Sequence, residues 1–385
     1  MSRPSFPTAS PVQQIDLSYA IRPRRSGSRQ IRNPLMQLLQ AVREHGSISA
    51  AARALDLSYR HVWGELKHWE QTLGHALVQG EQGQRAQLSE FGDKLLWAER
   101  QAQARLAPQI EALRGDIERA FSTAFDDSAH VLTLYASHDA ALSALRDQTS
   151  AQGLHLDISF MGSVDAIAAL NAGRCMMAGF HVRDQPQRHS VAAQTYRSLL
   201  KPGLHKLIGF AHRRQGLIVA RNNPLEIDCL ADLKQPGIRY VNRPEGTGTR
   251  VLLDDLLAEA GLAPHDLPGY DTVEPSHTAV AQAVASGAAD AGLGIEAAAR
   301  EKGLGFVPLA LERYHLVCLK SELPTPQVQA LLRELQGGEW QATLDRLPGY
   351  SGALAQSGKV LSLRAALPWW SYRKEKHGDS AHAAG

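Results

Sequence analysis

The chain has 385 residues, 44% of them hydrophobic, and a formal net charge of +2, which suits a soluble globular protein of two or three domains with ample material for cores. Its three cysteines, Cys175, Cys229 and Cys318, stand far apart without C-x-x-C spacing, which excludes a zinc knuckle and a disulfide framework and fits a reducing cytoplasm. No run of about 18 apolar residues occurs, and the opening MSRPSFPTASPVQQ has no apolar core, so neither secretion nor a membrane span is expected.

Charge is uneven along the chain. Residues 1–70 hold ten Arg or Lys against five Asp or Glu, a balance of +5 that leaves −3 for the remainder. Such asymmetry fits a nucleic-acid-facing head on a neutral body, or a solvated basic tail. Residues 1–14 are Pro/Ser-rich and expected to be disordered, and IDLSYAI at 15–21 alternates like a short strand. In NPLMQLLQAVREHG, Leu35, Leu38, Leu39 and Val42 fall at i, i+3, i+4 and i+7, and Gly46 stands where a helix stops.

SISAAARALDLSYRHVWGELKHWEQTLG then predicts two helices joined by a tight turn at Asp56-Leu57. Ser47 caps the first, whose Ala50, Ala51 and Ala52 admit a close neighbour; Ser58 caps the second. The second buries Val62, Leu66, Trp69 and Leu73 and leaves Tyr59, Arg60, His61, Trp63 and Lys67 on or near the other side. A helical hairpin with a solvated face would share this spacing, but a cationic, aromatic outer face suits a helix for the major groove. HALVQGEQGQRAQLS reads as a strand–turn–strand wing carrying Arg85. The winged helix-turn-helix, an α+β unit, is thus placed at 15–88 and a long linker helix at 89–126.

Along that helix Leu96, Glu99, Gln103, Leu106, Ile110, Leu113, Ile117, Ala120 and Ala124 recur alternately three and four residues apart, with an apolar seam from Leu106 onward and a kink or break expected at Pro108. Such a stripe needs a partner: a second copy, giving a homodimer or a tetramer, or the chain's own later domain. Residues 30–125 resemble the winged helix of molybdate-responsive (ModE-type) regulators and, more loosely, of LysR-type regulators with their linker helix. The resemblance implies a homodimer on a double-stranded DNA operator, with Ser58, Tyr59, Arg60, His61, Trp63 and Lys67 on the reading helix.

From residue 130 strands and helices alternate: HVLTLYAS, LHLDISFMG, CMMAGFHV, GLIVARNN, IRYVNR, GLGIEAAA and GFVPLALE as strands, with HDAALSALRDQ, SVDAIAALNAG, RVLLDDLLAEAG, HTAVAQAVASG and TPQVQALLRELQ as helices. The rhythm predicts a parallel, helix-covered sheet. Small hydroxylic residues stand at four strand-to-helix turns: Ser137-His138, Gly162-Ser163, PEGTGTR with Gly246, Thr247, Gly248, Thr249 and Arg250, and Ser276-His277-Thr278. Each alone is an ordinary cap, but several helix N-termini converging would make an anion site. PEGTGTR matches neither G-x-x-x-x-G-K-[ST] nor G-x-G-x-x-G.

The stretches GSVDAIAALNAGRCMMAGFHV, QGLIVARNNP, VNRPEGTGTRVLLDDLLAEAGL and VAQAVASGAADAGLGIEAAAR resemble a cytoplasmic relative of periplasmic binding proteins, two α/β lobes with ligand between them. That resemblance implies a domain at 130–345, with lobe one at 130–212 and 305–345, lobe two at 216–304, and crossings near 212–218 and 302–308. Ser137, His138, Gly162, Ser163 and His181 would face the cleft from the first lobe; Gly246, Thr247, Gly248, Thr249, Ser276, His277 and Thr278 from the second, with Arg243 or Arg250 as bidentate partner of an anion.

Catalytic motifs such as G-x-S-x-G and H-E-x-x-H are absent from the sequence, and no cofactor or bound metal is expected; His181 and His277 read as hydrogen-bond donors to ligand or as core residues. The tail 351–385 reads as an aromatic anchor at Trp369-Trp370 followed by disorder. The expected function is a cytoplasmic one-component transcription regulator sensing a small anion such as molybdate, tungstate or formate, with family resemblance pointing to molybdenum metabolism. The alternative is a molybdenum-cofactor accessory protein or enzyme that binds a pterin and uses its winged helix for protein contacts.

Overall fold

The computed structural model describes residues 33–80, 86–125, 130–351 and 356–370. The expected disorder at 1–14, the strand at 15–21, the wing tip with Arg85 and the chain beyond Trp370 lie outside the described residues. The chain divides into two units, Met1–Gln103 and Ala104–Gly385. Among the described residues no helix is long and apolar enough to cross a membrane.

In the first unit α1 (Pro34–His45), α2 (Ile48–Ala54) and α3 (Tyr59–Leu73) each begin at a side-chain cap: Asn33, Ser47 and Ser58 accept from the N–H groups of Leu35, Ala50 and His61. Gly46 at φ 66° and Gly74 at φ 71° end α1 and α3 in the left-handed conformation that glycine adopts without strain. Leu38, Leu39, Val42, Ala51, Val62 and Leu66 form the core, joined by Leu77 and Leu96. The wing pairs β1 (Val78–Gln79) antiparallel with β2 (Gln87–Leu88). The Glu70 carboxylate on α3 accepts from the backbone N–H of Leu77 at 2.8 Å and Val78 at 3.2 Å, fixing where the wing leaves the helix.

The linker helix α4 runs unbroken from Glu90 to Phe125 with Pro108 inside it, so the expected break does not occur. Proline has no N–H, which leaves the carbonyl of Ala104 without its helical donor. The Ser276 hydroxyl, 3.3 Å away, takes that place. Within the second unit the buried face of α4 carries Ala104, Pro108 and Glu111. Leu106 and Ile110 on the seam are half-buried and Leu113 is 50% exposed. At 100° per residue, a two-residue offset places that seam on the opposite side of the helix from the packed face.

The second unit continues after α4 with β3 (His130–Ala136), α5 (Ala140–Ser150), β4 (Leu154–Phe160), α6 (Ser163–Asn171), β5 (Met177–Arg183) and α7 (Val191–Arg197). It continues through β6 (His205–Val219), β7 (Tyr240–Val241), α8 (Gly248–Ala260), α9 (His277–Ala285), β8 (Ala291–Ile295), α10 (Glu296–Glu301) and β9 (Gly305–Leu319). Strand order is β4-β3-β5-β9-β6-β8-β7. The expected parallel sheet is in fact mixed: β3 lies parallel to β4 and β5, but β9 runs antiparallel to both β5 and β6.

The reason is that β6 and β9, each 15 residues long, belong to both lobes. Their outer halves pair beside β5, their inner halves beside β8, and β-bulges at Gly209/Ala211 and Gln215/Gly216 mark the turn between lobes. The expected strands at GLIVARNN and GFVPLALE were therefore too short, because the polar run His212-Arg213-Arg214-Gln215 does not read as strand interior. The return crossing lies near 310–312, where β9 joins β5, rather than at 302–308. GLGIEAAA divides at Ile295 into β8 and α10, and IRYVNR keeps only the two residues of β7.

Helices α11 (Pro326–Gln336) and α12 (Gly338–Asp345) return to the first lobe, where Val328, Leu331, Leu335 and Trp340 join its core. The chain then adds β10 (Tyr350–Ser351) and β11 (Val360–Ser362) to the edge of β6 and buries Trp369 and Trp370 against Ala193, Tyr196 and neighbours. The first lobe thus extends to Trp370.

Candidate functional site

The turn PEGTGTR caps α8 through Thr247, whose hydroxyl accepts from the Arg250 N–H at 3.3 Å and donates to the Pro244 carbonyl at 2.7 Å. Gly246, at φ 78°, has its carbonyl 3.2 Å from the N–H of Val164, which joins the second lobe's turn to the start of α6 in the first. Gly248 stands at the first position of α8, where a methyl group would lie 3.1 Å from His181 and 3.2 Å from the Ser163 hydroxyl. A side chain there would require His181 or Ser163 to shift by a few tenths of an ångström. One residue on, the Thr249 hydroxyl accepts from the Gln215 amide at 3.2 Å and lies 3.5 Å from His277 Nε2 at the first position of α9. The N-termini of α6, α8 and α9 therefore converge, each carrying the partial positive charge of a helix start.

Around them stand buried polar groups. His181 is 2% exposed with no hydrogen-bond partner at either ring nitrogen, and His277 Nδ1, Gln215 Oε1 and Arg243 Nε likewise lack one. Burial, reinforced by the charges of Arg213 and Arg243, pushes His181 and His277 well below the usual histidine range, so both are neutral. A neutral imidazole has one N–H to donate.

The two arginines differ in a decisive way. Arg213 on β6 is held between Asp139 and Glu312, with Tyr350 donating to Asp139 at 2.7 Å; these carboxylates keep its charge despite full burial. Arg243 donates to the Glu274 carbonyl at 2.9 Å, and no carboxylate lies within 4.0 Å of it among the described residues. Burial pushes its guanidinium down to about 9, with the charge of Arg213 adding to the shift. It still carries a positive charge at neutral pH; the Glu274 carboxylate acts on it from a distance but is bonded to Arg105, so no carboxylate pairs with the guanidinium directly.

Of the other expected site residues, Arg250 is engaged on its own loop, 3.7 Å from the Tyr270 ring centroid and donating to the Arg243 carbonyl at 3.3 Å. The Ser137 hydroxyl donates to Met161, His138 pairs with Glu111 at 3.0 Å, and the Ser276 hydroxyl caps α9. Gly162 caps α6 without a side chain, and Thr278 is half-buried in the first turn of α9. Sequence reasoning missed Asp139, Arg213, Gln215, Glu312 and Tyr314, whose ring lies 3.9 Å from that of His181, centroid to centroid. Four of them lie inside β6 and β9, and the cue was a polar run flanked by apolar residues on both sides.

On the first unit, α3 turns outward Tyr59, Arg60, His61, Trp63 and Lys67, with Tyr59 42% and Trp63 45% exposed. Lys67 Nζ lies 2.6 Å from Glu70 and 5.6 Å from the Trp63 ring centroid. The Ser58 hydroxyl serves as cap.

Residues 144–336 match the periplasmic-binding-protein (PBP) superfamily domain, and residues 34–93 match the bacterial regulatory helix-turn-helix protein, lysR family. An uncharacterized protein in the ferredoxin 2Fe-2S gene 5' region of Clostridium pasteurianum is 34% identical over 29% of this chain and 98% of its own length. Uncharacterized protein YvgK of Bacillus subtilis is 34% identical over 52% of this chain, which spans 64% of YvgK. The molybdenum-pterin-binding protein MopA of Rhodobacter capsulatus is 29% identical over 29% of this chain and 45% of its own length. Among solved structures, full-length CbnR complexed with target DNA aligns at TM-score 0.40 and 18% identity over 78% of this chain and 97% of that one. The chain thus belongs to the PBP superfamily and joins that two-lobed domain to a helix-turn-helix of the lysR family type.

Proposed function

We propose that this regulator binds a double-stranded DNA operator through α3 and takes up a small anion between its lobes, acting in the cytoplasm as a homodimer or a tetramer. Arg243 is the observation that carries the ligand reading. A buried guanidinium with no carboxylate paired to it directly, beside orphan imidazoles and converging helix N-termini, lacks one partner, and an anion supplies it. Molybdate, tungstate and formate are the candidates, and the resemblance to MopA supports the molybdenum connection. A pterin would need an open aromatic face. Phe180 is fully buried against Tyr196 and Phe160 lies edge-on to His138, so the accessory-protein reading ranks second.

Calorimetry on the full chain with molybdate, tungstate, formate and sulfate tests the seat. One of them should bind, and Arg243→Met should weaken it on the order of a hundredfold, the worth of a charge-assisted hydrogen-bond pair. Burial pushes the guanidinium down to about 9, and it must be protonated to hold an anion, so affinity should fall as pH rises through that value. Heat from none of the four, or undiminished binding by Arg243→Met, would remove the anion seat.

For DNA, exposed Arg60 on α3 is the proposed reader of a guanine edge. Arg60→Ala should cost about 1–3 kcal/mol of operator affinity and relax base preference. Lys67 shares its charge with Glu70, so Lys67→Ala should weaken all sequences modestly and alike. Gel shifts at several salt concentrations separate the two. Dimerisation is supported by the seam of Leu106, Ile110 and half-exposed Leu113, which faces away from the sensor unit.

A further inference from the structure

Between Ala104 and Arg114 the linker helix grips both lobes of the sensor at once. On the second lobe, Arg105 holds Glu274 through two bonds of 2.9 and 2.7 Å, and the Ala104 carbonyl, freed by Pro108, accepts from Ser276. On the first lobe, Glu111 accepts from His138 at 3.0 Å, from the Ser143 hydroxyl, and pairs with Arg146 at 3.0 Å, while Arg114 pairs with Asp147 at 3.1 Å. On the second lobe the grip closes on the start of α9; on the first it runs along α5, from His138 just before it to Arg146 and Asp147 in its later half.

The grip on the second lobe is also wired to the candidate seat. Glu274 gives its carbonyl to Arg243 and its carboxylate to Arg105, so one residue touches both the cation of the cleft and the linker helix. The Glu274, Glu111 and Arg146 side chains are each 7% exposed or less. Separating any of them from its partner strands a buried charge, so the grips hold or release as units and do not stretch gradually.

We infer that residues 104–114 form a clasp that sets the spacing of the two lobes and passes occupancy of the Arg243 seat to α4 through Glu274 and Arg105. The second half of this statement rests on the anion reading given above; the first half does not. Because α4 is one continuous helix from Glu90, an event at the clasp acts on the same element that leaves the DNA-binding unit.

The test uses the full chain with spin labels at Cys229, the exposed cysteine of the second lobe, and at Arg174→Cys on an exposed turn of the first; Cys175 and Cys318 are buried. Without any anion, Arg105→Ala and Glu111→Gln should each lengthen or broaden the inter-lobe distance and speed amide exchange of residues 104–114 roughly fivefold to tenfold. Arg105 is half-exposed, so its variant should fold even if Glu111→Gln does not. Unchanged distance and exchange in Arg105→Ala would overturn the clasp. Formate or molybdate added to the parent should alter exchange of 104–114, and Arg105→Ala should abolish that response. An anion that binds by calorimetry without moving this exchange would overturn the transmission, whereas an anion that binds nowhere defeats only the seat and leaves the ligand-free comparison to decide the clasp.

Discussion

Arg213→Met is expected to destabilise the sensor unit by about 3–5 kcal/mol, because it leaves the buried carboxylates of Asp139 and Glu312 facing each other without a cation. Asp139 has further obligations: it caps α5 through the Ala141 N–H at 2.8 Å and accepts from Tyr350 at 2.7 Å, so it cannot turn toward solvent. Protonation of one carboxyl is its only relief. For a unit of this size the cost corresponds to a fall of roughly 10 °C in Tm. Combining Arg213→Met with Asp139→Asn and Glu312→Gln removes the stranded charges and should restore most of the loss. Arg243→Met should go the other way and leave the ligand-free protein as stable or more stable, since an unpaired buried cation is replaced by an apolar chain. Calorimetric melting of the variants checks the contrast; equal losses at both arginines would contradict the assignment of one as brace and the other as seat.

Acid should unfold the sensor unit well before its carboxylates as a class are protonated. His181, His277 and His315 are fully buried, and burial holds the first two well below the usual histidine range and His315 down to about 3. In the unfolded chain they titrate near 6.5, so the unfolded state binds more protons below that pH, and stability present above about pH 6.5 is lost as pH falls. Each contributes a loss of about 2 kcal/mol by pH 5, and three together approach the whole stability of a typical domain. Glu312 works against them: burial raises its carboxyl, which takes up a proton earlier in the fold than in the unfolded chain and offsets part of the loss. Urea midpoints at pH 7.5 and 5.0 measure the effect, and His315→Gln should remove roughly a third of it. A midpoint that does not change between these pH values would show that the imidazoles reach water or partners.

Much of the molecule was legible one element at a time. The caps Ser47, Ser58, Thr247 and Ser276, the stops at Gly46 and Gly74, and the apolar faces of α1, α3, α8 and α9 follow from local rules, since a cap or a helical stripe is a relation among residues within a few positions. PEGTGTR was readable as a strand-to-helix turn for the same reason. The two lobes and the cleft between them came from the resemblance to periplasmic binding proteins, not from local pattern.

What the sequence by itself determined, then, was which segments are helices, where they begin, and which residue types stand at their ends. Only the tertiary structure decided which of those ends meet and which polar groups are left over when they do. A hydroxyl used as a cap and one turned to distant partners look alike in sequence; Thr247 and Thr249 differ because one closes its own turn and the other faces Gln215 and His277. The same holds for charge. Arg213, Arg243 and Arg250 read alike along the chain, yet one is braced by two carboxylates, one stacks on Tyr270, and one is buried with no carboxylate paired to it directly. That outcome depends on residues 70 to 100 positions away arriving at the same point, and no local spacing encodes it. The linker helix shows the limit most plainly: Pro108 announced a kink or break, but the hydroxyl that takes up the freed Ala104 carbonyl, that of Ser276, lies 172 residues beyond Ala104 and was supplied by the fold alone.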